Sequence, residues 1–137
     1  TLTYRHRDGS FAAELASART FCQLRDVELM KNAGLALGGS LDNAVVVDDG
    51  KILNDGGLRM EREFVRHKAL DCLGDLLLLG MPVKAKMTAH RPGHALSTKL
   101  VQALLNDPRA FKIVEAGTSQ SRSDSYVLPE LAAAATA

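Results

Sequence analysis

Aromatic residues and cysteines are scarce in this sequence of 137 residues: it has no tryptophan, 4% aromatic residues and two cysteines. Cys22 and Cys72 lie within apolar patterns and lack the C-x-x-C spacing of a zinc or redox site, so we expect both to be reduced core residues. That expectation favours a cytoplasmic protein. The leucine run from Leu76 to Leu79 is far too short to cross a bilayer, and we expect no transmembrane segment.

An excess of charge of either sign is also missing. Seventeen Lys and Arg residues face sixteen Asp and Glu residues, which leaves a formal net charge of +1. This balance provides no broad attraction for nucleic acid or for an anionic membrane, so we expect no nucleic-acid partner. With 46% hydrophobic residues, the chain is long enough for one core of ordinary domain size.

The first half of the chain has the pattern of a small βαβ unit. Thr20 to Leu24 predicts a strand, and residues 26–34 predict a short helix with Asp26 as its N-cap. The β-branched run Ala44 to Val47 predicts a second strand, which an Asp-Asp-Gly turn leads into Lys51 to Leu53.

The second half predicts two helices around one more strand. Apolar positions trace a buried stripe from about Glu61 to Leu79, which predicts a long helix. Alternation from Val83 to Ala89 predicts a half-buried strand, and a helix is predicted from about Ala95 to Leu105. Helices alternating with strands indicate a sheet that is covered on one face.

The long helix carries a group of residues that suggest chemistry. His67, Asp71 and Asp75 are spaced four apart and therefore share one helix face. His67 and Asp71 can present a nitrogen and an oxygen to one zinc ion. The Pro-Gly loop after the predicted strand places His94 at the start of the next helix. The alternative is a solvated charged stripe on a structural or interaction domain, which a large distance between His94 and the two carboxylates would favour.

Several separated motifs occur together in a fixed order. They are Ala18-Arg19-Thr20-Phe21, Gly38-Gly39-Ser40-Leu41-Asp42-Asn43-Ala44, Glu63-Phe64-Val65-Arg66-His67-Lys68, Asp71, Gly74-Asp75-Leu76 and Gly93-His94-Ala95-Leu96. In order and spacing the chain resembles, from about Ser17 to Leu105, the zinc-dependent UDP-3-O-acyl-N-acetylglucosamine deacetylases of lipid A biosynthesis.

The resemblance implies an α+β fold, a two-layer sandwich of a mixed sheet with helices on one face, in which the βαβ unit is a small insert. Residues 1–116 then form the second, C-terminal deacetylase domain, incomplete at its N-terminus, and residues 117–137 form a flexible Ser/Ala-rich tail. An earlier domain of the same enzyme is expected to carry a third zinc ligand and a general-base Glu. We therefore expect the isolated chain to be inactive.

The resemblance also implies roles for individual residues. Zinc held by two His and one Asp keeps a position open for water, and His67 and Asp71 match two of these ligands. His94 matches a catalytic histidine that stabilises the oxyanion and protonates the leaving amine. A helix N-terminus disfavours imidazolium, and Asp75 beside His94 is expected to offset that effect and to orient the ring. Thr20 matches a hydroxyl near the zinc-bound oxygens.

Substrate contacts follow from the same resemblance. Lys68, which also counts among the catalytic residues, and Arg91 match basic positions that engage the diphosphate of the UDP-sugar. An apolar passage for the acyl chain is expected within the βαβ unit, although ordinary core packing is an alternative role for these side chains. The passage residues are Phe21, Leu24, Val27, Leu35, Ala36, Gly39, Ser40, Leu41, Ala44 and Val46.

Two other functions compete with zinc-dependent deacetylation. A non-catalytic module that binds acylated sugar nucleotides would keep the passage residues but would not need the His and Asp residues together. An inactive fragment is the other possibility, because the expected third ligand and general base are not found in this sequence.

Overall fold

The computed structural model describes residues 1–115, which divide into two compact units. The first unit is Thr1–Leu73, and the described part of the second is residues 74–115. The predicted tail at 117–137 lies outside the described residues. No helix within residues 1–115 has both the length and the apolar content needed to cross a membrane.

The first unit contains a three-stranded mixed sheet. Strand β1 (Thr20–Gln23) pairs in parallel with β2 (Ala44–Asp48), and β2 pairs antiparallel with β3 (Lys51–Ile52). Helix α2 (Leu24–Asn32) connects the parallel strands and packs against both of them. The predicted βαβ unit and the α+β fold with a mixed sheet are therefore confirmed, whereas the assignment of this unit as an insert stays a prediction.

Helix α2 begins three residues earlier than the sequence indicates. Its N-cap is Gln23, so the prediction of Asp26 as N-cap was wrong. Asp26 lies in the first turn, where a carboxylate interacts favourably with the helix dipole, and this explains why it gave a helix-start signal. The end was predicted well: Gly34 has the left-handed φ of 73° that suits glycine after a helix.

Three further helices complete the described part of the chain. Helix α1 (Ser10–Glu14) is short and was not predicted. Helix α3 (Glu63–Leu76), followed by a 3₁₀ turn at Leu77–Leu79, matches the long predicted helix apart from its ends, and α4 (His94–Asn106) matches the second. Within the second unit, α4 contacts the 3₁₀ turn.

The predicted strand from Val83 to Ala89 is absent. Residues 81–90 contain neither helix nor strand, and every one of them is exposed. All three strands within residues 1–115 lie between Thr20 and Ile52. A strand needs backbone partners, and an alternating pattern of side chains does not supply them.

The core of the first unit lies along β2. Ala44, Val45 and Val46 are buried, together with Leu15 and Ala18 ahead of β1. Cys72 on α3 is also buried, whereas Cys22 on β1 is half-buried.

The Asn54 side chain forms three hydrogen bonds with backbone groups beside this core. Its Oδ1 accepts a hydrogen bond from Val46 N at 3.0 Å, and its Nδ2 donates to Leu41 O at 2.6 Å and Ala44 O at 2.8 Å. The Asn54 side chain is buried, and its polar atoms are satisfied by backbone groups around β2.

A buried ion pair joins the entry to β1 with the start of α3. Arg19 Nε donates to Glu63 Oε1 at 2.9 Å and Arg19 Nη2 donates to Oε2 at 3.1 Å, while the side chains are 8% and 0% exposed. The carboxylate also accepts backbone bonds from Arg19 N at 2.9 Å and Arg59 N at 2.7 Å. Arg19 Nη2 donates in addition to Gly57 O at 2.7 Å. Both buried charges therefore have several partners, as buried charges require.

This arrangement strongly favours the ionised carboxylate. The hydrogen bond from the Arg19 side chain is the largest cause that lowers the pKa of Glu63 from 4.5 to about 2, and burial opposes it. The same side-chain hydrogen bond raises the pKa of the Arg19 guanidinium. Glu63 is also the first residue of α3, where the helix dipole favours a negative charge.

Removing the cation of this pair should destabilise the chain severely. In Arg19→Met the Glu63 carboxylate stays buried without its partner, and we expect the free energy of unfolding to fall by about 3–5 kcal/mol. Urea unfolding followed by circular dichroism measures this loss. Arg25→Met is the control, because the Arg25 side chain is 84% exposed. A loss in Arg19→Met no larger than in this control would contradict the structural importance of the pair.

Stability should also fall in acid because of Glu63. Its pKa is lower in the folded chain than in the unfolded chain, so the carboxylate contributes stability that is complete above about pH 5 and lost as the pH falls toward about 2. The shift corresponds to about 3 kcal/mol. Urea unfolding at successive pH values measures the slope. Glu63→Gln should flatten it and Glu61→Gln, 87% exposed, should not; equal slopes in all three proteins would refute the assignment.

Candidate active site

His67 and Asp71 lie one turn apart on α3 and point their polar atoms toward each other. The distance from His67 Nε2 to Asp71 Oδ1 is 3.4 Å, and the side chains are 15% and 23% exposed. The other ring nitrogen, Nδ1, lies 3.0 Å from the backbone oxygen of Ala18. The predicted pair of ligands is therefore brought together within the first unit.

The hydrogen bond to Ala18 determines which nitrogen of His67 can bind a cation. A carbonyl oxygen accepts but cannot donate, so Nδ1 must carry the proton and donate it. In the neutral ring, Nε2 then presents its lone pair on the side of Asp71. Metal-binding histidines are usually oriented by such a bond from the other ring nitrogen.

The donor set fits zinc in chemistry and in spacing. One imidazole nitrogen and one carboxylate oxygen are typical zinc ligands, and two ligands of a tetrahedral zinc ion lie about 3.4 Å apart. The Nε2 to Oδ1 distance has this value. Residues 1–115 contain no group of three or more His, Cys, Asp or Glu side chains that could hold a metal ion. Within the described chain, the candidate metal site thus comprises two ligands.

Two phenylalanine rings pack together beside His67, and one of them, Phe21, lies on β1. The Phe21 ring lies 4.7 Å from the Phe64 ring and 6.4 Å from the His67 ring, measured between centroids. Lys68 Nζ lies 5.8 Å from the Phe21 centroid, within the range of a cation–π contact. Thr20, next to Phe21, begins β1 and is exposed. Five of the predicted site residues therefore belong to this region of the first unit: Thr20, Phe21, His67, Lys68 and Asp71.

The residues predicted to line an acyl passage differ in their surroundings. Leu24 and Val27 lie on α2, the first exposed and the second half-buried, and Gly39 and Ser40 lie in the exposed loop that follows. Ala44 is buried as the first residue of β2 and pairs with Thr20. The passage stays a prediction, and Ala44 has the surroundings of a core residue.

Asp75 and His94 form the second predicted contact, within the second unit. His94 Nδ1 donates to the Asp75 carboxylate, at 2.9 Å from Oδ1 and 3.1 Å from Oδ2. Asp75 is 15% exposed, whereas His94 is 72% exposed as the first residue of α4. The carboxylate fixes the ring orientation and identifies Nδ1 as a nitrogen that carries a proton.

Arg91 lies three residues before His94, in the same unit. It is exposed and has a φ of 47°, in the left-handed region that non-glycine residues rarely adopt. The predicted contact of Arg91 with a diphosphate stays a prediction.

Two residues that sequence reasoning did not assign support the His67 region. Arg19 and Glu63 lie within two of the recognised motifs, but their pairing joins positions 44 residues apart. The sequence does show a charged residue next to apolar core positions at both places, Arg19 just before β1 and Glu63 at the start of α3. The backbone oxygen of Ala18, which orients His67, has no signature in the sequence.

Comparison with known proteins supports the same motifs. The family model described as LpxC, UDP-3-O-acyl N-acetylglycosamine deacetylase, matches residues 1–106. Among curated proteins, the UDP-3-O-acyl-N-acetylglucosamine deacetylase of Myxococcus xanthus is 56% identical over 109 residues, which are 80% of this chain and 35% of that protein. The enzyme of the same name from Hahella chejuensis is 47% identical over 123 residues, 90% of this chain and 41% of the relative.

A third relative gives a similar match. The deacetylase of Psychrobacter arcticus is 53% identical over 105 residues, which cover 77% of this chain and 33% of that protein. The chain thus spans between a third and about two-fifths of the curated relatives it matches. The family model covers all of the predicted site residues, from Thr20 to His94. The chain therefore belongs to the UDP-3-O-acyl N-acetylglycosamine deacetylase family.

Proposed function

We propose that this chain supplies part of the active site of a zinc-dependent deacetylase, which removes the N-acetyl group of UDP-3-O-acyl-N-acetylglucosamine in cytoplasmic lipid A biosynthesis. The names of the relatives support the reaction. The observation that carries the zinc proposal is the convergence of His67 Nε2 and Asp71 Oδ1 at 3.4 Å while Ala18 holds Nδ1.

His67 and Asp71 are the residues that would hold the metal ion. When bound, zinc supplies Lewis-acid activation of water at neutral pH. We assign the third ligand and the general base to a region outside residues 1–115, because these residues contain no group of three or more side chains that could hold a metal ion. On this proposal, the isolated chain is inactive.

His94 is proposed to provide proton transfer. Amide hydrolysis adds water to the acetyl carbonyl, breaks the C–N bond and delivers a proton to the leaving amine, so that acetate and a free amino sugar result. A histidine oriented through Nδ1 by a carboxylate can stabilise the developing oxyanion and then give the Nε2 proton to the amine. The 2.9 Å contact with Asp75 supplies that orientation.

The remaining site residues are proposed to bind the substrate. Lys68 and Arg91 offer positive charge for the diphosphate, and Thr20 offers a hydroxyl near the reacting oxygens. Phe21, which packs among Phe64, His67 and Lys68, offers an apolar surface beside the metal ligands. Other residues proposed to contact the acylated sugar are Leu24, Val27, Gly39, Ser40 and Ala44.

Acetate release by a chimera tests this function. In the chimera, this chain replaces the matching region of the Myxococcus xanthus deacetylase. We expect activity that a chelator abolishes and zinc restores, and a loss of about 10²-fold or more in His67→Gln or Asp71→Asn because each removes a ligand. Glu61→Gln is the control, because its side chain is 87% exposed. Chelator-insensitive activity, or full activity in His67→Gln, would refute the zinc site. An inactive chimera that still binds the acylated UDP-sugar would favour a binding module.

The role of Asp75 can be tested separately in the same chimera. A hydrogen bond to a charged group contributes about 1.5–3 kcal/mol, so Asp75→Asn should lower kcat by roughly 10-fold to 10²-fold with little change in KM. Steady-state kinetics of acetate release measures both constants. Asp55→Asn, at an exposed loop position, should keep the parental values. An unchanged kcat in Asp75→Asn would exclude the proposed orientation of His94.

A further inference from the structure

Two adjacent backbone groups hold two successive turns of α3. The backbone N–H of Arg19 donates to Glu63 Oε1 at 2.9 Å, and the backbone oxygen of Ala18 accepts from His67 Nδ1 at 3.0 Å. Glu63 and His67 are four residues apart and share one helix face. The Ala18-Arg19 segment therefore contacts both side chains, and we call this arrangement the 18–19 clamp.

The Glu63 end of the clamp is the rigid one. Its carboxylate is 0% exposed and accepts four hydrogen bonds, three from Arg19 and one from the Arg59 backbone. Charge-assisted bonds of this number fix both the position of Arg19 and the rotation of the first turn of α3 about its axis. The His67 end depends on one bond to a backbone oxygen.

Rotation of α3 determines whether that single bond can form. His67 lies one turn after Glu63, so a rotation or shift at Glu63 moves the imidazole relative to Ala18 O. Without this bond the ring could carry its proton on Nε2 and donate it to the Asp71 carboxylate 3.4 Å away, and Nε2 would then offer no lone pair to a metal ion. The charged pair and the metal ligand are therefore coupled through the geometry of the clamp.

We propose that Glu63 is a positioning residue, which through Arg19 holds His67 in the tautomer that presents Nε2 to a metal ion. This inference rests on the proposed function in naming zinc as the ligand. Its structural part, that Glu63 determines the proton position on His67, can be tested without metal and without activity.

The first measurement concerns the unaltered chain of 137 residues. Long-range ¹H–¹⁵N NMR of metal-free protein with ¹⁵N-labelled histidine distinguishes a ring that carries its proton on Nδ1 from one that carries it on Nε2 or on both nitrogens. His67→Gln identifies the signal. We expect His67 to be in the Nδ1–H form. The Nε2–H form in the unaltered chain would overturn the proposal.

The second measurement compares Glu63→Gln with Glu61→Gln, the matched change at an exposed position two residues earlier. In Glu63→Gln we expect a mixture of His67 tautomers and roughly 10-fold to 100-fold weaker binding of zinc ions alone, measured by calorimetry. Glu61→Gln should match the unaltered chain in both. If Glu63→Gln does not fold, Arg19→Lys, which keeps the charge but loses the fork of donors, takes its place with the same expected result.

The possible results distinguish a positioning role of Glu63 from a purely structural role, and they test the zinc site separately. A lower free energy of unfolding with an unchanged tautomer and zinc affinity would show a merely structural pair and overturn the proposal. A changed tautomer in a chain whose unaltered form does not bind zinc would support the positioning role and count against the two-ligand zinc site. A changed tautomer together with weaker zinc binding would support both.

Discussion

The buried ion pair between Arg19 and Glu63 is the interaction on which the arrangement of the first unit depends. It joins the entry to β1 with the loop at Gly57 and with the first turn of α3, which lie 38 and 44 residues further along the chain. Burial of two charges is costly, and here four hydrogen bonds to the carboxylate offset that cost. A well-packed apolar pair could give similar stability. It could not, however, accept hydrogen bonds from the backbone N–H groups of Arg19 and Arg59, which help to fix the rotation of α3.

The two histidines of the candidate site are oriented by the same kind of hydrogen bond. In each unit, a histidine donates its Nδ1 proton to a fixed oxygen: Ala18 O for His67 in the first unit and the Asp75 carboxylate for His94 in the second. The partners differ in charge, and this difference separates the proposed roles. On the proposed function, the neutral carbonyl orients a metal ligand, whereas the carboxylate would offset the positive charge of a His94 ring that carries a second proton.

The parts of the fold that depend on neighbours in the chain could be predicted from the sequence. The i, i+4 spacing of His67 and Asp71 predicted their approach on α3, and local patterns predicted the βαβ unit. Predictions failed where the local structure depends on contacts with residues that are distant in the chain. Residues 83–89 alternate as a strand does but form none, because strand formation requires paired backbone groups. Helix α1 was missed because its five residues are too short to show a clear helical period.

The sequence by itself determined the family motifs, the residue types of the candidate site and their spacing along each helix, because these are local properties of the chain. Only the tertiary structure decided that Arg19 reaches Glu63 across 44 residues and that the Ala18 carbonyl orients His67. A sequence does not show which backbone oxygen will accept a hydrogen bond from His67. It also does not show which of its carboxylates will pair with Arg19. Packing of Phe21 on β1 against Phe64 at the start of α3 accompanies both pairings, and burial then makes the pairing of Arg19 with Glu63 obligatory.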